Sequence, residues 1–186
     1  LFNIGFVETQ KYGAWTCYIL HDVDHLLTNK YNKYTCQDSP SQLSILAITG
    51  NKLKERYWNY LGGVSAVSKL QFQTINGFSN IYYGWGGEDD DLYNRLTHHF
   101  GNVTRRSRRV GQYEELPHIE SEKSEDRRSK LFKWKDRMEF DGLNSLKYTI
   151  LEVEMHQLFT KFVANTHGEH IDRANIALVK QIKTNA

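Results

Sequence analysis

The chain has 186 residues, with 24 Lys and Arg against 22 Asp and Glu and a formal net charge of +2. That length suits one domain with a sizeable core, and the near balance of charge gives no electrostatic case for a nucleic-acid partner. Hydrophobic residues make up 39% and charged residues 25%, the make-up of an ordinary globular domain, and no run approaches the ~20 apolar residues of a membrane span. Aromatic residues are raised to 13%, and many of the rings neighbour Gly, Asp or Asn, as they do where proteins bind sugars.

The first residues, Leu1 to Tyr12, place Leu1, Ile4 and Phe6 on one side and polar groups on the other, which predicts the end of a helix. A chain that opens in mid-helix without Met leads us to expect an upstream portion. Trp15 to Leu20 is a short apolar and aromatic run that stops at His21-Asp22-Val23-Asp24, the pattern of a buried strand with carboxylates at its C-terminal end. In open α/β sheets ligands sit beyond that end. Residues 28–42 are polar and turn-rich, Leu43 to Ile48 predicts a second strand, and 50–61 is basic, aromatic and irregular. Gly62-Gly63 predicts a turn into a third strand, and Ser68 the N-cap of a short helix ending near Ile75.

Asn76 to Gly87 is a glycine-rich loop. Leu92, Leu96 and Phe100 then recur four apart, predicting an amphipathic helix whose first turn carries Glu88, Asp89, Asp90 and Asp91, where acids complement the helix dipole. Arg105-Arg106-Ser107-Arg108-Arg109 reads as a solvated segment between a helix and a strand rather than a phosphate patch. Residues 114–141 are strongly charged and read as a mobile segment. Leu146 to Phe162 predicts terminal strands, and the tail from His167 is polar.

Three constellations carry chemistry. Asp22-Val23-Asp24 offers two hard oxygen ligands at a strand end, suited to Mg²⁺ or Mn²⁺ on a diphosphate, although Asp-x-Asp also occurs in plain solvated turns. Trp85-Gly86-Gly87 followed by four acids offers a ring face for a sugar, a backbone open to close approach and a carboxylate able to take a hydroxyl proton; a helix start alone explains the acids equally well. Glu115 and His118, three apart, are able to join Asp24 on one metal, or to lie free in a charged loop. Cys17 and Cys36 by themselves fit a reduced pair or a bridge, and Asn102-Val103-Thr104 is a glycosylation sequon.

Five segments in order carry a resemblance: Ile19-Leu20-His21-Asp22-Val23-Asp24, Gly62-Gly63-Val64-Ser65-Ala66, Asn76-Gly77-Phe78-Ser79-Asn80, Tyr83-Gly84-Trp85-Gly86-Gly87-Glu88-Asp89-Asp90-Asp91 and Asp141-Gly142-Leu143-Asn144-Ser145-Leu146. Together they resemble the β1,4-galactosyltransferase family and its N-acetylgalactosaminyl relatives over residues 1–165, leaving 166–186 as a tail. The resemblance implies a GT-A type α/β fold, a mixed sheet with flanking helices, whose N-terminal, uridine-binding part is expected upstream together with a membrane anchor, in a type II protein of the Golgi lumen. It implies inverting transfer of galactose from UDP-galactose, with Mn²⁺, to O4 of a GlcNAc- or glucose-terminated acceptor on a glycoprotein or glycolipid. The alternatives are a UDP-GalNAc-using relative and a catalytically silent carbohydrate-binding remnant.

By the same resemblance, Asp89 is the catalytic base and Glu88 stands with it. Asp22, Asp24, Tyr60, Gly63 and Trp85 serve the donor, and the bulk of Tyr60 excludes a 2-acetamido group. Tyr57, Asp89, Asp90, Arg127, Arg128 and Leu131 serve the acceptor. Asp24, Glu115 and His118 hold the metal. Glu115 stands where the family has Met; a carboxylate is harder than a thioether, which implies greater tolerance of Mg²⁺. Arg128 also departs from the family pattern, in the pocket that recognises the acceptor. Cys17 and Cys36 match a family disulfide, which in turn implies an oxidising compartment.

Overall fold

The computed structural model describes residues 1–119 and 121–166, so the polar tail from residue 167 lies outside the described residues. Helix α1 (Phe2–Thr9) leads into β1 (Cys17–His21) and β2 (His25–Leu27). Strands β3 (Ser41–Gln42), β4 (Leu46–Thr49), β5 (Lys52–Glu55) and β6 (Val64–Ser68) follow, then α2 (Lys69–Thr74), α3 (Glu88–Phe100), β7 (Thr104–Arg105) and β8 (Gln112–Glu115). Two short helices, α4 (Arg127–Phe132) and α5 (Trp134–Arg137), precede the hairpin β9 (Thr149–Met155) and β10 (Thr160–Asn165). One sheet runs β1-β6-β3-β7 and a second β2-β8-β4-β5; β3–β7 and β4–β8 are parallel and the other pairings antiparallel.

Strand β6 is buried on both faces. Val67 turns toward the helices, into a core with Phe6, Leu20, Leu61, Phe72, Ile75, Phe78, Leu92 and Leu96. Val64 and Ala66 turn the other way, against Leu43 and Tyr113. This is the period-2 alternation of a strand between two apolar layers. Ser68 caps α2 as its sequence predicts, in a capping box in which its hydroxyl accepts from Gln71 N and Gln71 Oε1 accepts from Ser68 N.

The run Leu43–Ile48, predicted as one strand, serves two sheets. Residues 41–42 pair with β6 and β7, Leu43 N bonds Val64 O at 2.9 Å, and Ile45 N bonds Gly111 O at 2.7 Å before β4 begins. The chain therefore crosses from one sheet to the other within four residues, through backbone packed too tightly against Gly111 for any side chain there. Residues 50–61, read as irregular, contain β5; its residues are all exposed on a sheet edge, so no buried stripe announces it.

The charged segment 114–141 is more ordered than its composition implies, because one of its arginines is buried. Asp91 and Arg95 of α3 are fully buried, and Asp91 accepts from Arg95 Nε (2.5 Å), Arg137 Nη2 (2.5 Å) and Tyr82 OH (3.0 Å). Arg137 Nε also donates to Asp141 Oδ2 (3.2 Å), and Arg95 Nη1 to the Asp141 carbonyl (2.8 Å). This network binds α5 and the Asp141-Gly142 turn to α3. No helix among the described residues is long and apolar enough to cross a membrane.

Candidate active site

Strand pairing builds one wall. His21 of β1 lies opposite Val64 of β6, and Asp22 N donates to Gly63 O at 2.8 Å, so the Asp-Val-Asp turn sits beside the Gly62-Gly63 turn. After that turn His25 pairs in register with Glu115 of β8, and Leu116 N bonds Asp24 O at 2.8 Å. Pairing thus brings His118 to Asp24 and Glu115 to His25, but the three predicted ligands, Asp24, Glu115 and His118, do not converge as one set. His118 Nδ1 lies 3.0 Å from Asp24 Oδ2, and His25 Nδ1 lies 3.0 Å from Asp24 Oδ1.

Glu115 is not free, however. Its Oε1 is ion-paired with Arg56 Nη2 and lies 3.2 Å from His25 Nε2, which is close but not aligned for a hydrogen bond. Ligand atoms of Asp22, Asp24 and His25 converge within 4.8 Å of one another, a set of hard oxygens and an imidazole that fits a small divalent cation. Burial costs Asp24 hydration, but the hydrogen bond and charge of His25, with His118 beyond, outweigh this and hold its carboxyl below the usual range. Asp22 is pushed up, by burial and by Asp24 beside it.

The four acids face four environments. Gly87, at φ 98°, turns the chain into α3 in a backbone conformation that suits glycine. Asp89 Oδ2 presses against Gly62, in the space a β-carbon there would take, and Tyr60 OH borders the same space. Burial, then the charges of Glu88, Asp22 and Asp90, raise Asp89 well above the carboxylate range, with Arg56 opposing. Part of Asp89 still meets solvent, but its carboxylate is enclosed against Gly62, and it is the charged atoms that lose water. Glu88 is raised by burial, and its Oε2 is buried without a hydrogen-bond partner. Asp90 accepts from Tyr57 OH at 2.8 Å. Asp91 turns inward to the arginines and is structural.

Tyr57 and Tyr60 meet edge to face at 5.3 Å, beside the acids. Arg105, read from sequence as solvated, holds the backbone under them: its guanidinium donates to the carbonyls of Trp58 (2.5 Å), Arg56 (3.3 Å) and Tyr60 (3.4 Å). Trp85 is 53% exposed, with Lys123 Nζ over its ring at 5.5 Å, and its backbone bridges the 122–124 segment through Trp85 N to Glu122 O (2.9 Å) and Ser124 N to Trp85 O (3.1 Å). Arg127 packs along Gly86 and donates to Ser124 O at 2.7 Å. Arg128, exposed, and Leu131, half-buried, follow on α4. Gly63, at φ 71°, lies against His25 and Ser44, with no room for a β-carbon. Arg56, His25 and Arg105 are the site residues that sequence reading did not assign. No local signal marks the first: Arg56 follows Lys54 and Glu55, and Glu115 follows Glu114, so neither charge stands out in its stretch.

Cys17 and Cys36 form the disulfide that the resemblance implied, with Cα atoms 5.5 Å apart, fastening β1 to the following loop. Asn102 is exposed, with its side chain 3.3 Å from Ser39 Oγ.

Two family profiles match, one described as the N-terminal domain of galactosyltransferase over residues 44–119 and one as the N-terminal region of glycosyl transferase group 7 over residues 1–37. β1,4-Galactosyltransferase 1 of Bos taurus is 40% identical over 168 residues, and β1,4-galactosyltransferase 4 of Cricetulus griseus 41% over 169, each covering 89% of this chain. The chain belongs to the β1,4-galactosyltransferase family. It spans under half of these relatives, 42% and 48% of their lengths. Among solved structures, the catalytic domain of Drosophila β1,4-galactosyltransferase 7 in complex with xylobiose superposes with a TM-score of 0.69 at 24% identity, over 90% of this chain and 73% of that one. A variant of that enzyme in complex with manganese, UDP-Gal and xylobiose gives 0.65 at 23%. These likenesses show the fold: a galactosyltransferase GT-A type α/β domain, with mixed sheets and flanking helices.

Proposed function

We propose that residues 1–165 form the C-terminal part of an inverting β1,4-galactosyltransferase catalytic domain, which moves galactose from UDP-galactose to O4 of a GlcNAc- or glucose-terminated acceptor. The observation that carries this reading is Asp89, a carboxylate enclosed at a helix start against Gly62 and close enough to feel the charges of Asp22 and Glu88. A base with a raised pKa is matched to taking a proton from an acceptor hydroxyl near neutral pH. Tyr57 and Asp90, already bonded to each other, border the acceptor side with Arg127, Arg128 and Leu131 on α4. Glu88, with an unpartnered buried oxygen, is available to a sugar hydroxyl, and Trp85 offers a ring face.

Asp24 and His118 would hold a divalent cation, Mn²⁺ by analogy with the Drosophila enzyme's complex and with Mg²⁺ tolerated, and Glu115 would join them on leaving Arg56. A cation there supplies positive charge to the departing diphosphate. Asp22 and the Gly62-Gly63 backbone line the donor side, with Tyr60 limiting bulk at the sugar's C2. The disulfide and the exposed Asn102 sequon accord with a Golgi-lumenal protein.

The test is galactose transfer from UDP-galactose with Mn²⁺ to GlcNAc, glucosylceramide and xyloside acceptors, on this chain and on one extended upstream. Transfer to GlcNAc or glucosylceramide that disappears in Asp89→Asn supports the reading. Sugar binding without turnover in both chains would identify a silent relative, and xyloside as the preferred acceptor would overturn the acceptor assignment.

A further inference from the structure

Arg56 enters the site from the end of β5 and is 14% exposed at its side chain. Its guanidinium lies over the Tyr60 ring at 4.8 Å, its Nη2 is ion-paired with Glu115 Oε1, and its Nε is buried without an acceptor. Asp89 lies close enough to feel its charge, which opposes the raised pKa of that carboxyl. A half-buried carboxylate such as Glu115 demands a counter-charge, because its lost hydration is otherwise unrepaid. Arg56 is that charge. Glu115 also stands across His25 from Asp24, where a cation held by Asp24 and His118 would draw on it.

A cation drawn to Glu115 would meet the charge of Arg56 there, and like charges at close range repel. We propose that Arg56 and the divalent cation compete for Glu115: the guanidinium neutralises it in the metal-free site, and the cation displaces the guanidinium, whose N–H donors then serve the donor diphosphate. The unpartnered Nε and the stacking on Tyr60 make this exchange feasible, since the side chain keeps its aromatic platform while Nη2 changes partner. The proposal rests on the donor-site reading above. It makes Arg56 a positioning residue for the metal and a binding residue for the leaving group.

The experiment measures Mn²⁺ binding to the metal-free chain by electron paramagnetic resonance, then UDP binding to the Mn²⁺-saturated chain extended upstream by calorimetry. Urea midpoints verify that each variant is folded. Arg56→Gln is expected to bind Mn²⁺ about tenfold more tightly and UDP about tenfold more weakly, opposite signs that a merely structural role would not produce. Arg56→Lys, which keeps the charge, is expected to keep Mn²⁺ affinity within about threefold of wild type. Glu115→Gln is expected to lose about tenfold in Mn²⁺ affinity. Mn²⁺ affinity in Arg56→Gln that is unchanged or lower, or UDP bound no better by wild type than by Arg56→Gln, would overturn the exchange. Asp24→Asn separates the two levels of argument: Mn²⁺ affinity untouched by it removes the metal-site reading itself, whereas affinity lost there but unraised in Arg56→Gln removes the exchange alone.

Discussion

Replacing Asp91 by Ala tests the division of labour within the acidic run. Asp91 is fully buried and accepts from Arg95, Arg137 and Tyr82, while Asp90, next to it, is partly exposed and among the described residues accepts from the side chain of Tyr57. Removing Asp91 leaves two arginine side chains facing the single carboxylate of Asp141, which lies 3.2 Å from Arg137 Nε and 3.6 Å from Arg95 Nη2. Breaking a buried pair in this way costs about 3–5 kcal/mol. In a domain of this size each kcal/mol moves Tm by about 2–4 °C, so Asp91→Ala is expected to lower Tm by roughly 6–20 °C. Asp90→Ala removes one bond between partly exposed groups and is expected to cost less than about 1 kcal/mol. Differential scanning calorimetry of the two variants side by side decides the matter. Equal Tm shifts would show that Asp91 does not anchor α3 to α5.

Reducing the Cys17–Cys36 disulfide, which closes a loop with a sequence separation of 19, should cost about 3 kcal/mol by the chain-entropy estimate, read as a lower urea midpoint; an unmoved midpoint would mean that the reduced chain is equally confined. Gly62→Ala drives a methyl group into the Asp89 carboxylate, so transfer should fall at least about a hundredfold while Mn²⁺ affinity at Asp24 holds; retained turnover would place the base elsewhere. Asp89 has a folded-state pKa above its unfolded value. The folded chain therefore binds the extra proton between the two values, and stability falls as pH rises through that window. Asp89→Asn should accordingly raise stability at pH 8 by about 0.5–2 kcal/mol and not at pH 3, where both chains are neutral at that position. The same shift predicts that kcat/KM of the wild type falls on the acid side at a pH well above an ordinary carboxylate pKa, and a rate flat down to pH 4 would contradict it.

Local chemistry made much of this fold legible. Ser68 and Gln71 stand three apart and cap α2, the four-residue spacing of Leu92, Leu96 and Phe100 gave α3, and the apolar run before Asp22 gave β1. The disulfide followed only from the resemblance, since two cysteines leave their state open. What escaped were contacts made across the chain. The link from Asp91 to Arg137 joins residues 46 apart, and the clamp of Arg105 on the Trp58 carbonyl joins residues 47 apart, so each arginine looked like one more solvated charge. His25 was visible beside Asp24, but its place between Asp24 and Glu115 depends on the register of β2 against β8. The Leu43–Ile48 run is apolar but for Ser44, and a single serine does not mark the point at which such a run leaves one sheet for another.

That crossing has a mechanical consequence. The wall that carries Glu115 hangs from β4 through β8, and the wall that carries Gly62 and Asp22 hangs from β6; the two are tied by the few residues between Gln42 and Leu46. So short a tether leaves the walls almost no freedom to part while the backbone bonds at Leu43 and Ile45 hold. The aperture of the site is thus set by the surrounding segments, by Trp85 and the strip of chain it bridges, and a ligand entering must work against those segments rather than prise the sheets apart.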